Sequence, residues 1–245
     1  MRYRPSHTYG IGMLIQHPTL FKYEIGTFNI TCIVTAEQWN QNTYIIKNRR
    51  SSSTVIVDPG GDADLIAKHI RDIDAKVARV LLTHPHHDHV GAAAQVSEFF
   101  NVPCELHRKD ARLLHHAPMY ALIFANKQIP PVARFELFEE LHNPTEEPAL
   151  RSIHTPGHTK GSTCYLFDGF VMTGDTLLRR RVGRTDFPGG SAVVIAESVS
   201  RLLTQLKDKI FIFPGHGKPW TIGEARGWWR DENTSPPEYR DCAHL

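Results

Sequence analysis

The segment His84-Pro85-His86-His87-Asp88-His89 packs four imidazoles and a carboxylate into six residues, in a 245-residue chain that has 15 histidines altogether. Imidazole nitrogens and carboxylate oxygens are ligands for zinc, iron and manganese, so the chemistry this density points to is the holding of divalent cations. A solvated His-rich turn is the bland alternative. Three further residues stand in matching settings: His158 in Thr155-Pro156-Gly157-His158-Thr159, Asp175 in Thr173-Gly174-Asp175-Thr176, and His216 in Pro214-Gly215-His216-Gly217. Each follows an apolar run that reads as a strand. Each also has a neighbouring glycine, which permits the tight backbone that brings a short side chain inward. A solvated turn accounts for one such segment, not for several that share the setting.

The elements that must position these groups are legible from hydrophobic periodicity. Val80-Leu81-Leu82 reads as a buried strand running into His84, and a helix is expected from Val90, so the His-rich segment lies at the carboxyl end of a strand. His84 and His86 can aim the same way from an extended turn, while Asp88 and His89, at the helix entrance, can aim at an adjacent point; one segment can therefore serve two neighbouring cations. Upstream, strands are expected at Thr27–Val34, Asn42–Lys47 and Thr54–Asp58, an antiparallel meander whose last member closes in the turn Asp58-Pro59-Gly60-Gly61. Asp64–Ile73 has helical spacing, Ala78–Thr83 is a short strand and Val90–Phe100 reads as one helix. Further strands are expected near Cys104–His107, Leu150–His154, Ser162–Phe167, Phe170–Thr173 and Ile210–Pro214, with helices near Arg108–His115 and Ala192–Leu206. His142–Ala149 reads as a solvated loop. This alternation predicts an α/β chain of helix-covered sheets in a single domain.

Composition narrows the function classes. Twenty-eight Lys and Arg against 26 Asp and Glu leave a formal charge of +2, too even a balance for a protein whose main work is gripping nucleic acid. The longest apolar runs, such as Tyr120–Ala125, fall far short of the roughly 18–20 residues that cross a bilayer. Ile11–Ile15 is a brief apolar patch without the features of a signal peptide, so a cytoplasmic location and no membrane partner are expected. Cys32, Cys104, Cys164 and Cys242 lie far apart with no C-x-x-C pair, and buried thiols are expected.

Thr83-His84-Pro85-His86-His87-Asp88-His89-Val90-Gly91 resembles the metallo-β-lactamase-fold hydrolase signature T-H-x-H-x-D-H-x-G, and His158, Asp175 and His216 fall where the later ligands of that family fall. The resemblance spans roughly Phe28 to Lys218. It implies a four-layer αββα sandwich, with a core of about 25–222, a tail of 223–245 and the site at one edge between the sheets. It also implies two divalent cations, zinc in the first place with iron or manganese as alternatives. One would be held by His84, His86 and His158, the second by Asp88, His89 and His216, with Asp175 as the bridge. Two such cations can share a water, lower its pKa toward neutrality and polarise a carbonyl, with Asp88 and Asp175 as the catalytic carboxylates. No Ser-His-Asp triad is needed, and no G-x-S-x-G is present.

Penicillin-destroying members of the superfamily lack an aspartate bridge, so Asp175 argues against a β-lactamase, and a histidine at position 86 argues against the flavodiiron branch. The stretch from Thr173 to Leu178 and the loop Gly183-Arg184-Thr185-Asp186-Phe187-Pro188-Gly189-Gly190 are most similar to the compact glyoxalase II-like thioesterases. That resemblance implies hydrolysis of a small-molecule thioester, such as an S-acylglutathione. The same loop also resembles the iron-dependent persulfide dioxygenases, the alternative chemistry. A metal-dependent nuclease of the same superfamily is a third reading, opposed by the charge balance. Little sequence follows His216, so the helical C-terminal domain of full-length glyoxalase II enzymes is not expected.

Arg184, with Arg179-Arg180-Arg181, is a candidate for binding an anionic substrate; the alternative is a pair with Asp186. His87 is expected to point away from the centre, and His107, His115, His116 and His142 to lie at the surface. Ala117–Ile129 is assigned to core packing, with lining of the cleft as the alternative. Trp228-Trp229 reads as a packing patch or the contact of a homo-oligomer.

Overall fold

The structure, a computed structural model, describes residues 20–36, 38–51, 53–143 and 149–234. The first sheet has seven strands in the order of the chain: β1 (Leu20–Ile25), β2 (Phe28–Thr35), β3 (Gln41–Asn48), β4 (Ser53–Val57), β5 (Lys76–Leu81), β6 (Cys104–His107) and β7 (Phe135–Phe138). Strands β2 to β4 form the expected antiparallel meander, β1 extends it by one strand that the sequence pattern did not show, and β4 to β7 run parallel. The second sheet, in the order β13-β12-β11-β10-β9-β8, comprises β8 (His142–Asn143), β9 (Leu150–His154), β10 (Thr163–Phe167), β11 (Phe170–Gly174), β12 (Phe211–Pro214) and β13 (Trp220–Thr221). Only β11 and β12 are parallel neighbours there.

Three apolar clusters make four layers. Helices α1 (Ala63–Asp72), α3 (Ala93–Phe100) and α4 (Ala111–Ala125) cover the outer face of the first sheet, burying Ile66, Ile70, Val96, Leu114 and Ala117 against Ile33, Ile45, Ile56 and Val80. Between the sheets lie Phe28, Ile30, Tyr44, Val55 and Leu81 from one side and Tyr165, Phe167, Phe170 and Phe213 from the other. On the outer face of the second sheet, α5 (Ala192–Gln205) and α6 (Ile222–Thr234) pack Ile195, Val199, Leu202, Ile222 and Ala225 onto Cys164, Val171 and Ile212. In α5 the buried positions recur three and four residues apart, the stripe a helix needs to lie on a sheet. This is the αββα sandwich, and at roughly 25 cal/mol per Å2 of apolar surface its three layers of contact carry the folding free energy.

Several local expectations change. Val90–Phe100 is not one helix: a short turn, α2 (His87–Val90), is separated from α3 because the Ala92 amide donates to the Pro59 carbonyl, with Ala92 off helical geometry. The helix expected over Arg108–His115 opens as a 3-10 turn at Arg108–Asp110 and then runs to Ala125. Of the stretch assigned to core packing, Ala117, Ala121 and Ile129 are in the core, whereas Met119, Leu122, Ile123 and Phe124 are exposed. His107, expected at the surface, is buried and stacked on His154 with ring centroids 4.1 Å apart, because β6 and β9 face each other across the two sheets. His142 and Asn143 form β8, while the remainder of that loop up to Pro148, like Ser235-Pro236-Pro237 and Cys242, lies outside the described residues. Cys32, Cys104 and Cys164 are buried thiols, and burial pushes each up, Cys32 and Cys104 to about 12 and Cys164 to about 11. Trp228 and Trp229 pack beside the outer cluster of the second sheet, with Trp228 5.8 Å from Trp220. Among the described residues no helix is long and apolar enough to cross a membrane.

Candidate metal centre

The centre forms where the carboxyl ends of parallel strands from both sheets meet. Asp58 follows β4 and Thr83-His84 follows its parallel neighbour β5; Asp175 follows β11 and His216 follows its parallel neighbour β12. Two cross-links hold the ends together. The Thr163 amide donates to the Thr83 carbonyl at 2.9 Å and the Tyr165 hydroxyl to the Leu82 carbonyl at 2.8 Å, tying β10 to the strand that delivers His84. The Asn42 amide donates to the Gly215 carbonyl at 2.8 Å, and the Tyr44 hydroxyl and the Asn42 side chain both donate to the Pro214 carbonyl, tying β3 to the turn that delivers His216. Gly215 is required by close approach: a Cβ there would lie 2.3 Å from Asp175 Oδ1 and 2.7 Å from His89 Cε1.

All seven side chains picked out by spacing converge. His84, His86 and His158 form one trio of mutually close ligand atoms; Asp88, His89 and His216 form another. Asp175 stands between them, with Oδ2 3.7 Å from His158 Nε2 and 3.5 Å from His216 Nε2, and Oδ1 3.5 Å from His89 Nε2. Within the trios, His84 and His158 Nε2 are 3.1 Å apart, His89 and His216 Nε2 3.3 Å apart, and Asp88 Oδ2 lies 3.3 Å from His216 Nε2. His87 stays outside both groups.

The outer ring nitrogens explain this inward convergence. His158 Nδ1 donates to the Arg184 carbonyl at 2.7 Å, His216 Nδ1 to the Trp39 carbonyl at 2.9 Å and His89 Nδ1 to Asp58 Oδ2 at 3.0 Å. The Thr83 hydroxyl donates to Asp58 Oδ2 and so accepts from His84 Nδ1 at 3.1 Å. With Nδ1 of each ring engaged outward, the four Nε2 atoms are the ones turned toward one another, the side a metal ligand uses. The sequence pattern places Asp58 at the end of a strand and in the turn that closes it, without a role at the centre. The signal for it was present, an aspartate at a strand end in the same setting as Asp175, and its left-handed backbone, with φ of 49°, swings the carboxylate toward Thr83 and His89.

The electrostatics divide the cluster. Burial, reinforced by neighbouring imidazoles, pushes His84 and His86 well below the usual histidine range, and burial also lowers His158, so these three are neutral imidazoles. At His89 burial acts in the same direction, but Asp88, Asp175 and Asp58 outweigh it and hold the group up at about 10; Asp175 and Asp88 likewise raise His216 against its burial. Burial favours neutral Asp88 and Asp175, yet the surrounding histidines, His89 foremost for Asp88 and His216 for Asp175, keep both below the usual carboxylate range. This is a buried cluster of carboxylates and imidazoles, and among the described residues Asp175 Oδ1 is a buried acceptor with no hydrogen-bond partner. Three neutral imidazoles, two ionised carboxylates and the rings of His89 and His216, which would give up a proton to a cation, fit divalent metals.

Arg184 contributes its carbonyl to His158, while its guanidinium makes two hydrogen bonds to Asp186 and lies 4.2 Å over the Phe187 ring. Arg179 is directed instead to the Pro219 carbonyl and toward Glu224.

Residues 36–216 match the family model of the Metallo-beta-lactamase superfamily. The hydroxyacylglutathione hydrolase GloC of Haemophilus influenzae is 32% identical over 199 residues, covering 79% of this chain and 93% of its own. Among solved structures, BLEG-1, described as a B3 metallo-beta-lactamase, superposes with a TM-score of 0.72 at 28% identity, covering 81% of this chain and 96% of its own. ETHE1 from Myxococcus xanthus superposes with a TM-score of 0.62 at 25% identity, covering 85% and 92%. With a two-sheet sandwich and a matched span that runs from the β2–β3 turn to the last of the gathered histidines, this chain belongs to the metallo-beta-lactamase superfamily.

Proposed function

We propose that the protein is a metal-dependent thioesterase that hydrolyses small-molecule thioesters of the S-acylglutathione type. The observation that carries the reading is the position of Asp175, a buried carboxylate within 3.7 Å of Nε2 atoms belonging to both trios. The likeness to GloC supports the thioester class. His84, His86 and His158 would hold one divalent cation, and Asp88, His89 and His216 a second, with Asp175 between them. Bound there, the cations supply an acidified water and Lewis-acid polarisation of the thioester carbonyl.

The chain's own groups do the rest. Asp88 and Asp175, kept ionised by the histidines beside them, can hold the cations and accept a hydrogen bond that orients the attacking water. Asp58, the Thr83 hydroxyl and the carbonyls of Arg184 and Trp39 hold the imidazoles in one orientation throughout. A departing thiolate needs little acid assistance, and no side chain is assigned to protonate it.

Metal analysis of the freshly purified protein, with parallel assays of S-lactoylglutathione hydrolysis, persulfide-dependent oxygen uptake and β-lactam hydrolysis, tests this reading. Two divalent cations per chain with thioester hydrolysis is the expected result. One iron per chain with oxygen uptake, or turnover of the β-lactam alone, overturns it.

A further inference from the structure

Beside the metal centre runs an arc of four rings. Trp39 meets His87 edge-on with centroids 5.6 Å apart, His87 stacks toward Phe124 at 6.3 Å, Phe124 meets Phe187 at 5.3 Å, and Phe187 meets His86 at 5.4 Å. The arc therefore begins on the residue whose carbonyl holds His216 and ends on a ring that touches His86, so it borders both trios. Phe124 is 45% exposed and Trp39 37%, and the adjacent turn of α4 adds Tyr120, stacked 5.9 Å from Phe124. His87 Nε2 has no hydrogen-bond partner among the described residues, so this imidazole joins the arc through its ring contacts alone.

We propose that the arc Trp39–His87–Phe124–Phe187 is the acyl subsite and that it selects thioesters with an aromatic or bulky apolar acyl group over small hydroxyacyl ones. This rests on the thioesterase reading and names its substrate class. The four members belong to four segments, the β2–β3 turn, α2, α4 and the loop after β11, and their rings meet beside this centre. Exposed aromatic faces in contact with one another offer a flat acyl substituent both apolar area and edge-to-face contacts, and the rings of Trp39, Phe124 and Phe187 present no acceptor to a hydroxyl group on the acyl chain. The guanidinium of Arg184, 4.2 Å over the Phe187 ring, stiffens the end of the arc nearest His86.

The test is calorimetric binding of two ketone analogues, S-phenacylglutathione and S-acetonylglutathione, to the metal-loaded protein. A methylene between sulfur and carbonyl makes both resistant to hydrolysis. Wild type is expected to bind the phenyl analogue at least tenfold more tightly than the methyl one. Phe124→Ala, at an exposed helix position, is expected to bring the two within threefold at unchanged metal content, and Phe124→Leu to restore part of the preference. Equal affinities in wild type, a ratio untouched by both Phe124→Ala and Trp39→Ala, or no binding of either analogue overturns the proposal. A clear phenyl preference in a holoprotein that hydrolyses no thioester leaves the arc standing and removes the thioesterase reading, so the two failures are separable.

Discussion

Asp58 Oδ2 lies 3.0 Å from Nδ1 of His89, two buried side chains, the first at the end of β4 and the second in the short helix α2 that follows its parallel neighbour β5. The same carboxylate accepts from the Thr83 amide and hydroxyl, so one acidic group orients His89 directly and His84 through the Thr83 hydroxyl. A carboxylate behind an imidazole fixes its tautomer and raises its basicity as a ligand. Asp58→Asn keeps the shape and removes the charge, and it is expected to weaken divalent-cation binding by about 10–100-fold. Chelator competition measures this, and a far-ultraviolet circular dichroism spectrum like that of wild type would show that the sandwich is intact.

His158→Ala and Asp175→Ala remove a member of one trio and the group between the trios. Both residues sit in loops after strands, outside the three apolar clusters, so the fold is expected to survive while thioester turnover falls by at least about 100-fold. Rates near wild type in a metal-replete assay of either variant would be incompatible with the assignment.

For Arg184 the backbone and the side chain act separately. Its carbonyl holds His158, and any residue at this position supplies a carbonyl; the guanidinium, at Asp186 and Phe187, is what a substitution removes. Arg184→Ala is therefore expected to raise KM for an anionic thioester several-fold while kcat changes by less than about twofold, the signature of lost uniform binding. Steady-state kinetics over a range of substrate concentrations would show the split. A lower kcat at constant KM would mean that His158 has been disturbed instead.

Asp110 clamps the loop that carries His158, accepting from the Thr159 hydroxyl at 2.6 Å and the Gly161 amide at 2.8 Å. Burial pushes its carboxyl up to about 6, against the lowering effect of those two donors. A carboxyl whose pKa is raised on folding adds stability that is fully present below its ordinary 3.8 and is lost as the pH rises through about 6. Asp110→Asn cannot ionise, so its stability relative to wild type should grow between about pH 4 and 7, by about 3 kcal/mol at most. Urea unfolding of both proteins across that range gives the comparison. A constant difference would mean that Asp110 ionises as readily in the folded chain as in the unfolded one.

Much of the architecture was readable because the signals were local. β6 and β9 fall on the residues expected, and the antiparallel meander and α5 follow from alternation and helical spacing within one segment. Signals that depend on partners were not readable. Phe124 and Leu122 are as apolar as core residues, and only the packing of α4 through Leu114, Ala117 and Ala121 decides that these two face outward. His107 looks like a surface histidine until β9 of the other sheet places His154 against it. Asp58 and Trp39 enter the site through a backbone turn and a main-chain carbonyl, neither of which has a residue-type signature.

The sequence by itself determined which side chains could act and that each would stand at the carboxyl end of a strand, since both follow from residue type and hydrophobic pattern over a few positions. Which of them meet was decided only by the tertiary structure. The two trios and the place of Asp175 between them depend on β4 beside β5 in one sheet, β11 beside β12 in the other, and the hydrogen bonds from Asn42, Tyr44 and Tyr165 that lock the sheets edge to edge. The bonds from Asn42 and Tyr44 join residues 172 and 170 positions apart, where local propensity carries no information and only packing of the whole sandwich selects the partner.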